Sequence, residues 1–381
     1  MNEISFNVPI VADAELKYVN AALSSPKHSG DGPFTKACQA FFEKQYGFTR
    51  SLLTTSCTDA LELSALLLDV RPGDEVILPS FTFVSSANAF ALRGAKLRFA
   101  DSSEANPNIT AETIAPLITN RTKVIVVVHY AGVACDMDPI MELAARRGIA
   151  VVEDAAQAID SYYKGRRLGG IGTAGAFSFH DTKNISCGEG GLFITQNSDL
   201  AARAEIIREK GTNRSAFNRG EIDKYGWIDI GSSFLPSDIL AAYLLGQLER
   251  LTAIQSRRLE VWNRYNDSLK DLANFSVSLP GIPTYASNNA HMFYLVCESA
   301  EQRFALSTHL KAKKIQAATH YLSLHSSPFF ATQHDGRPLP QSDCYTDRLI
   351  RLPIHLGLTN DDVDRVSEEV LASLAAGCIK N

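Results

Sequence analysis

The stretch KVIVVVHYAGVACDMDPIMELAARRGIAVVEDAAQ, residues 123–157, decides the fold. Its first part, VIVVV, is a continuously apolar run. A helical pattern follows, for which we predict Asp138 as the N-cap, Pro139 in the first turn and Gly148 at the end. A second apolar run, IAVV, then leads into two carboxylates. Apolar strands joined by a helix are typical of neighbouring parallel strands in a sheet that is covered on both faces.

The same alternation continues through the first two thirds of the chain. We predict strands at SLLT, EVILP, AKLRFA and AFSF, and helices at PFTKACQAFFEKQYG, TDALELSALLLDV and TFVSSANAFALRG. A long helical pattern from PSDILAAYLLGQLERL onwards precedes a strand-like HMFYLVC and two further helices. We therefore expect a large α/β domain with a mostly parallel sheet at residues 1–250 and a small C-terminal α/β domain at residues 251–381.

Composition excludes several classes of protein. The 381 residues carry a net charge of −5, which gives no basic surface for nucleic acid. The N-terminus is acidic without a sustained apolar run, and VIVVV is too short to span a bilayer, so we expect no signal peptide and no membrane segment. Seven cysteines without a C-x-x-C pair indicate reduced thiols in a cytoplasmic protein rather than disulfides or a zinc site.

A G-x-G-x-x-G pattern at Gly170, Gly172 and Gly175 suggests a dinucleotide-binding site. That site requires a strand before the pattern and a helix after it. Here the preceding YYKGRRLG is polar and turn-like, and the following AFSFH is a strand. The pattern therefore predicts a turn, and it disfavours a dehydrogenase.

Polar and aromatic residues follow the predicted strands at their carboxyl ends, where sheets of this kind bind ligands. Thr58 and Asp59 come after SLLT and open a helix, whose free N–H groups can hold a phosphate. Phe83 comes after EVILP and offers a flat apolar face. Taken singly, these features are also typical of an ordinary helix cap and of a core aromatic residue.

Two further strand ends carry the charged candidates. Asp154 and Gln157 follow IAVV, and a carboxylate at the end of a buried strand is costly unless it meets a cation. An ion pair or a helix cap would satisfy the same requirement. The stretch SFHDTKNISCGEGG then adds Ser178, His180 and Lys183 ahead of a glycine-rich loop.

One cofactor needs a phosphate cradle, a flat apolar face, a buried anion and a lysine amine together. That cofactor is pyridoxal phosphate, and it supplies its own electron sink without a metal. A carboxylate such as Asp154 keeps the pyridine nitrogen protonated, because an adjacent opposite charge favours the cationic form. A lysine whose pKa is lowered serves both as a nucleophile and as a proton carrier.

The segments EDAAQ, SFHDTKN, GEGG, TSCTDAL and PSFTFVSSANA resemble the DegT/DnrJ/EryC1 family of pyridoxal-phosphate-dependent sugar aminotransferases, and the resemblance covers nearly the whole chain. It implies the fold type I architecture of aspartate aminotransferase. It also implies that Lys183 is joined covalently to the cofactor and that Asp154 pairs with the ring nitrogen. The remaining implied cofactor contacts are Gln157 near the ring hydroxyl, Phe83 on the ring, and Thr58, Ser178 and the backbone at Asp59 on the phosphate.

The resemblance further implies a homodimer with shared active sites. Many members have GYN before the long helix, with an asparagine that reaches the partner's phosphate, whereas this chain has Gly231-Ser232-Ser233; Ser233 takes that position here. Binding a nucleotide sugar requires cationic side chains for its phosphates and aromatic rings for stacking. The resemblance, together with the residue types, gives these candidates for substrate binding: His180, Arg214, Lys224, Tyr225, His320 and Tyr321. Without the resemblance, the segment holding Arg214 is typical of a solvated charged loop.

The substrate expectation is more specific. The stretches HSGDGPFT, HYAGVACDMD, EIIREKGTNRS, DKYGWIDIGSSF and HMFY are similar to family members that aminate C4 of TDP-4-oxo-6-deoxyglucose for enterobacterial common antigen. L-Glutamate is the expected donor and the 4-amino-galactose sugar the expected product, with the gluco product left open. A sugar dehydratase of this fold has histidine in place of the lysine, so Lys183 argues against it. A non-catalytic regulator or binding protein on the same fold is the other alternative.

Overall fold

The computed structural model describes residues 2–378. The strands are β1 (Arg50–Thr54), β2 (Glu75–Pro79), β3 (Lys96–Ala100), β4 (Thr122–Val128), β5 (Ala150–Asp154), β6 (Tyr162–Tyr163), β7 (Arg166–Arg167), β8 (Ala174–Ser178), β9 (Gly191–Thr195), β10 (Phe293–Val296) and β11 (Leu349–Leu352). The α-helices are α1 (Asp13–Leu23), α2 (Pro33–Tyr46), α3 (Cys57–Leu67), α4 (Val84–Ala91), α5 (Ala111–Ile114), α6 (Met137–Ala145), α7 (Ser198–Arg208), α8 (Arg214–Asn218), α9 (Asp238–Glu249), α10 (Leu251–Ser268), α11 (Ala300–Ala312), α12 (Pro340–Arg348) and α13 (Asn360–Cys378). Short 3-10 turns occupy Ala115–Leu117, Tyr130–Gly132, Lys270–Phe275 and Leu324–Ser326.

Seven strands form the central sheet in the order β1-β9-β8-β5-β4-β2-β3. The strands β3, β2, β4, β5 and β8 are parallel neighbours, whereas β9 runs antiparallel to both β8 and β1. The two strands of the stretch at residues 123–157, β4 and β5, are direct parallel neighbours, with Val124 opposite Ala150 and Val128 opposite Asp154. This arrangement confirms the predicted α/β fold with a mostly parallel sheet.

The central strands are continuously apolar because both of their faces are buried. Ile125 and Val127 of β4 pack into a core on one face, and α2, α6 and α9 cover that face. The alternate residues Val124 and Val126 pack into a second core with α3, α4 and α7. Side chains alternate across a strand, so a strand between two cores needs an apolar residue at every position.

The C-terminal part has its own core. The antiparallel pair β10–β11 packs with α10, α11 and α13 around residues such as Phe293. Ile4 joins this cluster and bridges Ile315, so the start of the chain packs against its C-terminal part. The predicted boundary after residue 250 falls between α9 and α10 and stays a prediction. Between residues 2 and 378, no helix combines the length and the apolarity that crossing a membrane demands.

The glycine pattern near residue 170 wraps around a carboxylate of the chain itself. The buried side chain of Glu153 accepts hydrogen bonds from the backbone N–H groups of Gly169 at 2.8 Å and of Ile171 and Gly172 at 2.6 Å. Strand β8 follows directly, and it contains Gly175. The turn therefore has neither the flanking helix nor the free N–H groups that a dinucleotide site requires.

One predicted helix boundary was wrong. Helix α6 begins at Met137 with Asp136 in the N-cap position, two residues before the predicted cap at Asp138. The Asp138 carboxylate instead forms ion pairs with Lys164, at 2.8 Å, and with Arg166 in the small β6–β7 hairpin. These cations come from a later part of the chain, so the local capping pattern did not reveal them.

Candidate active site

A cavity of about 590 Å³ opens at the carboxyl ends of β5 and β8, beside the first turns of α3 and α4. The loop between β8 and β9 and the segment at residues 320–321 complete its wall. Most of the predicted site residues line this one cavity, namely Thr58, Phe83, Asp154, Gln157, Ser178, His180, Lys183, His320 and Tyr321.

Lys183 enters the cavity from the loop that follows β8. Its backbone N–H donates to the carbonyl oxygen of His180 at 2.9 Å, and this turn fixes the start of the side chain. Within residues 2–378, the Nζ of Lys183 forms neither an ion pair nor a hydrogen bond. Removal from water lowers the pKa of the amine below its ordinary 10.5, although the nearby Asp154 carboxylate opposes that shift. A lowered pKa makes the neutral, nucleophilic amine available at lower pH than for a surface lysine.

Asp154 is the last residue of β5 and only 5% exposed. Its Oδ2 accepts a hydrogen bond from Ser86 Oγ at 2.6 Å, and its Oδ1 accepts one from the backbone N–H of Ala156 at 3.1 Å. Ser86 is itself hydrogen-bonded to Thr82 at 2.9 Å. Among the described residues, no cation lies within 4.0 Å of this carboxylate. Asp154 is therefore a fixed, buried anion that can still accept a cation from a ligand.

The first turn of α3 forms the polar end of the cavity. Ser56 caps the helix, and its Oγ accepts from the N–H of Asp59 at 3.1 Å. Thr58 Oγ1 donates to Ser85 Oγ at 2.8 Å, and Ser178 lies opposite on β8. The first N–H groups of a helix have no partner inside the helix, so this end can bind an anion.

A glycine brings β9 against that helix end. A Cβ atom at Gly191 would lie 2.3 Å from the carbonyl group of Ser56, so a side chain there would push the strand away.

Sequence reasoning placed Asp59 in the phosphate cradle. The structure instead pairs its N–H with Ser56 and its carboxylate with Thr55, and Asp59 does not line the cavity. The serine two residues before Thr58 in TSCTDAL was the available signal for the true cap.

An aromatic and amide wall faces the middle of the cavity. Phe83 directly precedes α4, and 55% of its surface is exposed. Its ring centroid lies 6.1 Å from that of Tyr321. Gln157 is held at both ends, because its Oε1 accepts from the N–H of Ala131 at 2.6 Å and its Nε2 donates to Tyr321 Oη at 3.0 Å. These fixed groups can contact a flat ring and its polar substituents.

The two predicted histidines have different environments. His320 stacks on Tyr321, with ring centroids 3.8 Å apart. Burial, together with the positive charges of Arg351 and Lys183, lowers the pKa of His320 to about 2, so its ring is neutral at physiological pH. His180 is exposed at the rim, and its Nδ1 lies 3.0 Å from Thr182 Oγ1.

Besides Asp59, four predicted residues lie outside this cavity. Ser233, Arg214, Lys224 and Tyr225 are all exposed, and none of them lines it. Arg214 instead pairs with Glu209 at 3.2 Å. The segment that carries them also exposes large apolar side chains, with Trp227 82% exposed. Within one chain, the structure does not bring these four residues to Lys183.

The donor set of the cavity fits pyridoxal phosphate. A helix N-terminus with two hydroxyl groups suits the phosphate, and Phe83 suits the flat ring. The carboxylate of Asp154 suits a protonated ring nitrogen, and the unpaired amine of Lys183 suits the aldehyde. All of these groups belong to one cavity.

Comparison with known proteins agrees with this chemistry. The model of the DegT/DnrJ/EryC1/StrS aminotransferase family matches residues 9–371. The aminotransferase TlmJ from Streptoalloteichus hindustanus is 32% identical, with a TM-score of 0.91 over 98% of this chain and 100% of that one. DesV from S. venezuelae, solved in complex with a ketimine intermediate, is 30% identical, with a TM-score of 0.90 over 98% and 99%.

A third similar protein has been solved in two cofactor forms. Spr1654 from Streptococcus pneumoniae, for which a sugar aminotransferase role is proposed, is 25% identical in its PLP form, with a TM-score of 0.89 over 98% of this chain and 99% of that one. A PMP form of the same protein has a TM-score of 0.91. The match of the family model over nearly the whole length shows that this chain belongs to the DegT/DnrJ/EryC1/StrS aminotransferase family.

Proposed function

We propose that this chain is a pyridoxal-phosphate-dependent sugar aminotransferase that transfers the amino group of L-glutamate to C4 of dTDP-4-dehydro-6-deoxy-D-glucose. The products would be dTDP-4-amino-4,6-dideoxy-D-galactose, for cell-surface polysaccharide synthesis, and 2-oxoglutarate. One observation carries the proposal: the amine of Lys183 and the carboxylate of Asp154 share a single cavity, and neither is paired with an opposite charge in the described part of the chain. Family membership supports the reaction type, and the similar sequence stretches support the choice of sugar.

Each part of the cavity has a task in this reaction. When bound, the cofactor supplies an aldehyde that condenses with amines and a protonated ring that withdraws electrons. The first turn of α3 and Ser178, which line the cavity, would hold the phosphate, and Phe83 would cover one face of the ring. Asp154, oriented by Ser86, holds the proton on the ring nitrogen. Lys183 Nζ takes a proton from the reacting carbon and returns one.

The rest of the wall suits a sugar. Gln157, Tyr321 and His320 present an amide, a phenol and a neutral imidazole. Uncharged donors and acceptors of this kind match the hydroxyl and keto oxygens of a hexose. A 4-keto group that enters from this side would approach the amine-transfer position near Lys183.

Incubation with dTDP-4-dehydro-6-deoxy-D-glucose and L-glutamate tests the proposal. We expect one equivalent of 2-oxoglutarate for each aminated sugar, and NMR coupling at H4 then assigns the axial (galacto) or equatorial (gluco) amine. A gluco product would replace the galacto assignment but keep the enzyme class. A holoenzyme that aminates no nucleotide-linked keto sugar would contradict the proposal and favour a binding protein.

The exposed segment around Arg214 supports a shared site. We propose that it reaches the cavity of a partner subunit, where Arg214, Lys224 and Tyr225 bind the nucleotide and Ser233 approaches the cofactor's phosphate. The exposed side chains of Trp227, Ile228 and Ile230 on the same segment support burial against another chain.

Mixed dimers test this shared site. We expect Lys183→Ala chains mixed with Arg214→Ala/Lys224→Ala chains to regain activity that neither has alone, with roughly one site in four active after random pairing in a symmetric dimer. The wild-type Arg214 segment of the first chain would complete the intact cavity of the second. The measurement is turnover after co-refolding, with mass spectrometry confirming mixed pairs. Confirmed mixed dimers without activity would contradict the shared site.

A further inference from the structure

A buried turn just before β10 contacts the loop that carries Lys183. It consists of Asn289, Ala290 and His291, and each of the three is at most 7% exposed. Ala290 has a φ of 51°, in the left-handed region that a residue with a Cβ atom adopts only at a cost in free energy. Such a conformation persists where the surroundings hold it, and at functional sites it is often part of the mechanism.

Hydrogen bonds hold this turn from two sides. Arg258 of α10 donates from Nε to the carbonyl oxygen of Ala290 at 3.0 Å and from Nη2 to that of His291 at 2.7 Å. The side chain of Asn289 donates to the carbonyl oxygen of Gln157 at 2.8 Å. The turn is therefore fixed both to α10 and to the segment that places Gln157 in the cavity wall.

The turn also binds the side chain of Asn184, the residue directly after Lys183. Asn184 Nδ2 donates to the carbonyl oxygen of Asn289 at 2.8 Å and to Gln255 Oε1 at 2.9 Å. These two acceptors fix the orientation of the amide, so its Oδ1 is the atom that lies 2.7 Å from His291 Nδ1. An amide oxygen can only accept, so His291 Nδ1 carries the proton of this hydrogen bond.

His291 has no second proton to donate. Burial, together with the positive charges of Lys183 and Arg258, lowers the pKa of His291 well below 6.5, so its ring is neutral at physiological pH. A neutral imidazole has a single N–H, and Asn184 accepts it. His291 also does not line the cavity. Any effect of this side chain on the reaction therefore passes through Asn184.

Asn184 is the fixed point of the loop beside the reacting amine. Residues 180–182 are exposed and Lys183 is half-buried, whereas Asn184 is buried. Because Lys183 Nζ has no partner of its own within residues 2–378, its position depends on the backbone that carries it. A displacement of about 1 Å at a reacting group can lower a rate roughly 100-fold.

We propose that His291 is the positioning residue for Lys183 and acts through its hydrogen bond to Asn184. The inference rests on the proposed aminotransferase function and adds a residue that does not touch the reacting atoms. The bond joins the C-terminal part of the chain to the loop after β8, so it fixes the amine relative to both. Without it, the buried Asn184 oxygen loses its donor, and the loop is free to move Lys183 toward water.

Three substitutions separate the hydrogen bond from the bulk of the ring. In His291→Asn, the amide nitrogen takes the place of Nδ1 and keeps the donor to Asn184. In His291→Gln, the amide nitrogen corresponds to Nε2, so that donor is lost. His291→Leu removes both nitrogens and keeps a buried apolar side chain.

The first measurement uses the cofactor-free protein. Acetic anhydride labels amines across a series of pH values, and peptide mass spectrometry reads the label at residue 183. Burial lowers the pKa of Lys183 below 10.5, and an amine released toward water regains its ordinary value. In His291→Leu and His291→Gln, the pH of half-maximal labelling should therefore rise by about 1. His291→Asn should keep the wild-type midpoint.

The second measurement is turnover of the holoenzyme. In His291→Leu and His291→Gln, we expect kcat to fall about 10- to 100-fold, because the amine that carries the proton is displaced. KM for L-glutamate should change less than about threefold, since His291 does not line the cavity. His291→Asn should recover most of the lost kcat.

A matched control and the melting temperatures separate positioning from folding. His309→Leu removes a half-buried histidine of α11 that lies 2.8 Å from Glu369, and it should leave both measurements unchanged. If His291→Leu does not fold, the comparison of His291→Gln with His291→Asn carries the test. An unchanged labelling midpoint in His291→Gln, or recovery by glutamine instead of asparagine, would overturn the assignment. The labelling needs neither cofactor nor substrate, so failure of the proposed reaction leaves this result readable.

Discussion

Lys183→Ala protein should lose turnover on the order of 10⁴-fold, because it loses both the nucleophile and the proton carrier. No second lysine lines the described cavity, so no other amine can replace it there. Borohydride should fix the cofactor onto the wild-type chain, and peptide mass spectrometry should locate the added mass at residue 183. The visible absorption band of the wild-type holoenzyme should be missing from the variant.

The loss should not arise from unfolding. Lys183 Nζ has no hydrogen bond or ion pair within residues 2–378, and burial disfavours its charged form. We therefore expect the free energy of unfolding of the cofactor-free protein to change by less than about 1 kcal/mol. Lys96→Ala, which removes an exposed lysine at the start of β3, is the matched control and should keep full turnover. Cofactor trapped at a residue other than 183 would refute the assignment.

Local pattern predicted the fold and pointed to two charged candidates, Asp154 and Lys183, that line one cavity. The central strands have two buried faces, so their apolar runs stand out in sequence and their carboxyl ends can be located. Asp154 and Lys183 directly follow such runs at β5 and β8. The topology then brings them to the same edge of the sheet, and this is a general property of parallel sheets.

Contacts between distant segments could not be predicted in this way. Ser86 donates to Asp154, which lies 68 positions later in the sequence, and nothing in the local pattern of α4 indicates this contact. Arg351 lies near the end of the chain but acts on Lys183 and His320. The segment around Arg214 was assigned to the site by family resemblance, yet within one chain it lies outside the cavity. The role we propose for it depends on a second subunit, whose position sequence patterns do not predict.

Asp154→Asn should reduce turnover on the order of 10²- to 10³-fold, because an opposite charge raises the pKa of a neighbouring base by roughly 1–3 units. Asparagine has the same shape as aspartate and can keep hydrogen bonds to Ser86 and to the N–H of Ala156. The variant should therefore fold and retain Lys183, but the pyridine nitrogen would lose its proton near neutral pH. The turnover and the pH dependence of the cofactor's absorption measure this effect.

The sign of the pH effect distinguishes this role from a structural one. Without the carboxylate, the ring nitrogen is protonated only at lower pH, so residual turnover of Asp154→Asn should increase as the pH falls. Asp160→Asn removes the same charge six residues later, where the carboxylate pairs with Arg167 at 2.9 Å outside the cavity. That control should keep the wild-type absorption and pH profile. Wild-type turnover in Asp154→Asn, or an equal loss in Asp160→Asn, would show that Asp154 does not hold the ring proton.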